Sequence, residues 1–203
     1  MFILRCHLKV IIAGMLAVLV SGFSATILAQ DSPDLPEPVL PAHICAKLAP
    51  RQTYSAGDDT QRLQSAINHC PRGEALQLLA GRFSSGPLTM KSGVTLWISH
   101  GAMLTANTDP RVYDKNGRCG TLDHKGNGCR PFILFKNSDG GGIVGEGIID
   151  GQGGELMKGE DESWWQLARR AQTEGAAQNV PRLIEIDDGS NIIFHGITLR
   201  NSP

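Results

Sequence analysis

Apolar positions along the chain change their period after the first helical stretch. Between Asp58 and Gly73 they recur at helical spacing, with Leu63, Ala66, Ile67 and Cys70 on one face. Asp58-Asp59-Thr60 precedes them, so Asp59 or Thr60 is expected to cap the free N–H groups, and Pro71 and Gly73 end the run. Beyond Gly73 the spacing shortens towards two. Leu76 and Leu78; Val94, Leu96 and Ile98; Phe132 and Leu134; Ile143 and Ile148; Leu183, Ile184 and Ile186; Ile192, Phe194, Ile197 and Leu199 make short β-type runs parted by Gly, Asn, Asp and Ser. A second helix is expected over Glu162–Glu174, where Trp164, Leu167 or Ala168, and Ala171 form an apolar stripe.

The short runs repeat. Gly142 to Ile148 aligns with Asn191 to Ile197, and His100-Gly101-Ala102 echoes His195-Gly196-Ile197. The shared glycines stand about 46 and about 49 residues apart, which would fit two coils of a solenoid per interval with loops added. One coil cannot bury its own apolar face, so stacked coils must supply the core. The expected fold is therefore all-β: a right-handed, single-stranded parallel β-helix with an N-terminal capping helix and one excursion helix. An antiparallel sandwich is the alternative, but it needs tight two-residue hairpin signals that the sequence lacks.

The chain ends outside this pattern at its start. Arg5, His7 and Lys9 give a positive opening, Val10 to Val20 is apolar apart from Gly14, and small or polar residues follow to Gln30. That is the layout of a secretory signal peptide, with cleavage expected after Ala29 and Ala25 as the second candidate. The apolar run is shorter than the ~20 residues of a membrane span. Pro33, Pro36, Pro38 and Pro41 mark a linker. The expected organisation is a signal peptide over 1–29, a Pro-rich linker over 30–41 and the N-terminal part of a β-helix domain over 42–203. Export places the protein in the periplasm or outside the cell.

Composition adds three constraints. A formal net charge of -1 gives no basic bias of the kind that marks nucleic-acid binders. Twenty-four glycines suit short strands joined by tight turns. Cys6 would leave with the signal peptide, and Cys45, Cys70, Cys119 and Cys129 remain. In an oxidising compartment an even number favours disulfides. Three connectivities are possible, and Cys45–Cys70 with Cys119–Cys129 is the expected one. No C-x-x-C pair or His cluster has metal-ligand spacing, so no metal is expected.

Candidate chemistry is sparse. Asp58-Asp59 reads as a helix cap. Asp187-Asp188 cannot present both carboxylates to one sugar from a strand, because neighbours point to opposite faces, and with Gly189-Ser190 it reads as a turn. Asp150-Gly151-Gln152-Gly153 reads as a corner, and Glu146 and His195 share a structural position in the internal alignment. Trp164 is expected to pack on the solenoid, with Trp164 or Trp165 as a sugar-stacking residue the sharper alternative. No nucleophile elbow, phosphate loop, zinc-protease or calcium-loop pattern occurs.

Several segments resemble bacterial polygalacturonases of glycoside hydrolase family 28. They are Gly86-Pro87-Leu88-Thr89-Met90-Lys91-Ser92-Gly93-Val94-Thr95-Leu96-Trp97, then Gly101-Ala102-Met103-Leu104 with Thr108-Asp109-Pro110. Gly145-Glu146-Gly147-Ile148-Ile149-Asp150-Gly151-Gln152-Gly153, Trp164-Trp165 and Pro181-Arg182-Leu183-Ile184 to Gly196-Ile197-Thr198-Leu199-Arg200-Asn201-Ser202-Pro203 follow in order. The resemblance runs from about Ala42 to Pro203. It implies a parallel β-helix that hydrolyses α-1,4 bonds between galacturonic acid units of pectin with inversion, where one acid protonates the leaving oxygen and carboxylates activate a water. It implies no cofactor and a monomeric enzyme. The family's Asn-Thr-Asp, Asp-Asp, Gly-His-Gly and Arg-x-Lys signatures would fall after Pro203; Asn107-Thr108-Asp109 stands in a different context. No catalytic residue is therefore carried over, substrate-binding residues stay unassigned, and this chain alone is expected to be inactive. A non-catalytic carbohydrate-binding β-helix and a pectate lyase are the alternatives.

Overall fold

The computed structural model describes residues 37–51 and 58–203. The expected signal peptide (1–29) and the linker up to Pro36 lie outside the described residues. Fourteen strands are described: β1 (Ile44–Leu48), β2 (Ala75–Leu78), β3 (Gly81–Ser85), β4 (Leu88–Met90), β5 (Thr95–Ile98), β6 (Ala102–Ala106), β7 (Leu122–Asp123), β8 (Ile133–Asp139), β9 (Gly142–Val144), β10 (Ile148–Asp150), β11 (Ala177–Gln178), β12 (Ile184–Ser190), β13 (Ile193–His195) and β14 (Thr198–Arg200). Three helices join them: α1 (Thr60–His69), α2 (Pro110–Tyr113) and α3 (Trp164–Glu174).

Twelve of the strands stack in three parallel sheets, ordered β1-β2-β5-β9-β13, β3-β6-β10-β14 and β4-β8-β12. Each coil visits the sheets in turn, which makes a right-handed parallel β-helix. β7 and β11 form a separate antiparallel ribbon. The core is built as columns. Leu76, Leu96 and Ile143 stand in register and are fully buried, as do Phe83, Leu104 and Ile149 on the second sheet. On the third sheet Met90 and Phe135 repeat this. Each such apolar side chain contributes roughly 2 kcal/mol by leaving water. The columns continue into Phe194, Leu199 and Ile186 of the last described coil, which are 39%, 45% and 46% exposed.

β1 lines the first edge of the first sheet, while α1 packs Leu63 and Ile67 over the first strands of the other two. α1 thus acts as the cap on the stack. Its Asp59 does not cap the helix by its side chain, as the sequence suggested. The carboxylate is buried and accepts instead from Arg51 (2.9 Å), Arg62 (3.1 Å) and the Ser84 backbone N–H (3.3 Å), tying α1 to β3. Asp58 takes the local role, accepting from the Thr60 N–H at 2.6 Å.

Three expectations need correction. Each interval between repeats holds one coil rather than two: one turn carries the chain from Thr95 to Gly142, the next from Gly142 to Ile193. The extra length goes into two excursions, one with α2 and β7, the other with α3 and β11. Register also differs, since Val144 lies beside His195 and not beside Ile193. Finally, Asp187-Asp188 is not a turn. It lies within β12, where Asp188 (φ 57°) and the facing Asn137 of β8 (φ 45°) bend both strands together between paired neighbours. On β8 the buried phase is Ile133 and Phe135, with Leu134 facing outward.

Candidate functional site

The two excursions leave the stack at the same corner, between the second and third sheets. A clamp joins them. Asn179 is fully buried; its side-chain oxygen accepts from the Gly128 N–H at 2.7 Å and its amide nitrogen donates to the Thr121 carbonyl at 3.2 Å. Cys119 and Cys129 form a disulfide inside the first excursion, with Cα atoms 4.8 Å apart. Cys45 and Cys70 form another, Cα atoms 5.4 Å apart, between β1 and the end of α1. Asp114 accepts from the Cys119, Gly117 and Arg118 N–H groups, which hold its carboxyl below the usual carboxylate range.

Beside the excursions, on the last described coil, lies a cleft of about 680 Å³. Asn127, Gln178, Arg182, Leu183, Arg200 and Ser202 are among its lining residues. Arg182 is aimed by Glu185 (2.6 Å) and Asn127 (3.4 Å). Arg200 is aimed by Asp150, Nε to Oδ2 2.8 Å. Amides and guanidinium groups over an apolar floor suit a polar, anionic chain. Sequence reasoning missed Arg182 and Arg200 as cleft residues, because only the winding of the last coil brings the start of β12 and the end of β14 to one cleft.

Several of the described carboxylates serve the fold itself. Asp150 caps its own corner, accepting from the Gln152 N–H, Asn201 and Arg200. Burial pushes its pKa up, but the hydrogen bonds from Asn201, Gln152 and Arg200 outweigh this and leave it lowered. Asp109 is held to about 2, chiefly by the side-chain hydrogen bond from Arg111, and its carboxylate caps α2. Asp187 pairs with Lys136 at 3.1 Å. Glu146 faces His100 at 3.6 Å, and His195 faces Glu37 at 3.6 Å on the outside of the first sheet. Among the described residues no group of His, Cys, Asp and Glu is placed to hold a metal ion. What this geometry can do is bind and position.

The tryptophans divide. Trp164 is buried edge-on to Tyr113, ring centroids 6.3 Å apart, and anchors α3 with Leu167 and Ala171. Ser163 and Gln166 close a reciprocal cap on the first turn of α3. Trp165 is half-exposed.

Comparison with known proteins places these features. The family model for glycosyl hydrolases family 28 matches residues 70–203. The endo-polygalacturonase of Pectobacterium parmentieri is 38% identical over 189 residues, covering 91% of this chain and 46% of the relative. The polygalacturonase of Ralstonia solanacearum is 36% identical over 225 residues, covering 97% and 42%. The solved polygalacturonase from Erwinia carotovora ssp. carotovora superposes with a TM-score of 0.78 at 37% identity, over 85% of this chain and 46% of that one. The chain spans about half the length of the curated relatives it matches. With about two-thirds of its residues under the family model and its coils superposing on a solved member, the chain belongs to glycosyl hydrolases family 28.

Proposed function

We propose that this chain forms part of an exported polygalacturonase that hydrolyses α-1,4 bonds between galacturonate units with inversion. The observation that carries the reading is 36–38% identity to polygalacturonases over nearly the whole chain. The cleft's guanidinium and amide groups support an anionic polysaccharide as substrate. The positive-then-apolar start of the sequence supports export, and no described helix is long and apolar enough to cross a membrane. The near-neutral charge supports a polysaccharide rather than a nucleic acid as partner. We assign it a monomeric state. On this reading residues 42–203 supply scaffold and binding surface, and Asp59, Asp109, Asp139 and Asp150 serve the scaffold through their hydrogen bonds.

The test is a chimera in which residues 70–203 replace the matching stretch of the Pectobacterium endo-polygalacturonase. New reducing ends from polygalacturonate, with an inverted anomer, are the expected result. Unsaturated, ultraviolet-absorbing products or an inert chimera that folds would overturn the reading. The 203-residue chain by itself should release no ends.

A further inference from the structure

Trp165 is exposed in an unusual way. It sits one position from the buried Trp164, yet it is 49% exposed and still held at several points. Its indole N–H donates to the Ser202 carbonyl at 2.6 Å. Its backbone N–H donates to the Gly153 carbonyl at 3.0 Å. The ring rests on Gly154, where an added Cβ would come within 3.0 and 3.1 Å of ring carbons. Helix packing does not need this ring, because Trp164, Leu167 and Ala171 already fill the buried stripe. An exposed ring fixed in one orientation presents apolar area at little cost in side-chain entropy.

Arg169 lies four residues on, so it shares the helix face with Trp165 at a spacing of about 6 Å between Cβ atoms. Arg169 is exposed and makes no hydrogen bond or ion pair among the described residues. Its neighbour Arg170 is bound to Glu162 (2.6 Å) and Glu174 (3.5 Å). The helix therefore offers a rigid aromatic face next to an uncommitted guanidinium.

We propose that Trp165 and Arg169 form a binding subsite for one uronate ring of an acidic polysaccharide. The apolar C–H face of the pyranose would stack on the indole, and the ring carboxylate would take a charge-assisted pair with Arg169. Ser202, which fixes the indole, also lines the cleft of the last described coil, so the platform lies at that cleft's rim. The proposal rests on the polygalacturonate reading and extends it to a subsite on α3.

Affinity electrophoresis of the full chain in gels holding polygalacturonate or neutral galactan tests it. Retardation by polygalacturonate, much weaker retardation by galactan, and a loss of about tenfold in affinity for both Trp165→Ala and Arg169→Gln are expected. Trp165→Phe keeps the ring and should retain part of the binding. Added salt should weaken wild type more steeply than Arg169→Gln. Because Trp165 also braces Ser202, Arg169→Gln is the decisive variant. Equal affinity in Arg169→Gln and wild type, or no retention of wild type by polygalacturonate, overturns the subsite. The polygalacturonase reading is judged separately, by hydrolysis in the chimera with Trp165 and Arg169 both intact.

Discussion

Asp150 and Arg200 face each other from adjacent strands of the second sheet, carboxylate to guanidinium at 2.7 to 2.8 Å, although a full coil and its excursion separate them. Asp150 is 4% exposed in its side chain, and Asn201 binds the other oxygen at 3.0 Å. Removing the carboxylate strands two donors and leaves a partly buried guanidinium. Asp150→Ala should cost roughly 2–3 kcal/mol, read as a lowered midpoint in urea unfolding. Asp150→Asn should cost less, since the amide oxygen can still accept one bond.

Acid should loosen the coils through the same class of contact. Asp139 is held to about 2 by hydrogen bonds from Asn191, Ser190 and Arg72, which tie the corner before β9 to the one before β13 and, across the Ser92–Gly93 level, to the one before β2. Asp109 is held to about 2 by Arg111, and Asp150 is lowered too. A carboxylate whose folded pKa lies below its unfolded value stabilises the fold above about pH 4 and loses that contribution as pH falls. Unfolding free energy should therefore be level near neutrality and drop between about pH 4 and pH 2. Asp139→Asn should make the acid limb shallower, checked by urea titrations at pH 5 and pH 2.5.

Much of the architecture was legible because a β-helix coil writes short alternating runs between glycines, and Leu76, Leu96 and Phe194 belong to one column that the runs already mark. Register was harder. Val144 pairs with His195 but Ile148 with Thr198, so the corner between β9 and β10 holds one residue more than the corner between β13 and β14, and a gapless letter-by-letter alignment misses this. The coil count failed for a related reason: an excursion can leave a corner and return without disturbing parallel pairing, so repeat spacing overstates coils. The cleft was illegible for want of adjacency. Arg182, just before β12, and Arg200, on β14, line one cleft, and Asn179 reaches Gly128 and Thr121 through the interior. The helix at Pro110–Tyr113 is one turn long and gives no period to detect.

The disulfides should carry different weights. Cys45–Cys70 closes a loop of 25 residues and ties β1 to the capping helix. Its loss through paired serine substitution should cost roughly 3 kcal/mol, against roughly 2–3 kcal/mol for the ten-residue Cys119–Cys129 loop. Thiol titration of the denatured, mature chain should find no free cysteine. Opening Cys119–Cys129 should speed proteolysis within 115–130 while leaving the coils protected, since Asn179 still fastens the excursion. General unfolding after that single change would contradict a local role.

Gly142 is where two coils come closest through backbone. It opens β9 with φ of 152°, and a Cβ there would collide with the Ile193 carbonyl oxygen of the following coil. No side-chain rotation can relieve this, because the obstacle is main chain in a paired strand. Gly142→Ala should thus cost about 3 kcal/mol or more, well beyond the usual penalty of about 1 kcal/mol for a point substitution. The damage should be directional. Hydrogen exchange should rise first in β13 and β14, which stack on the coil that Gly142 begins, while β2 and β3 at the capped end keep their protection. Uniform loss of protection along the stack would mean that the coils unfold as one unit.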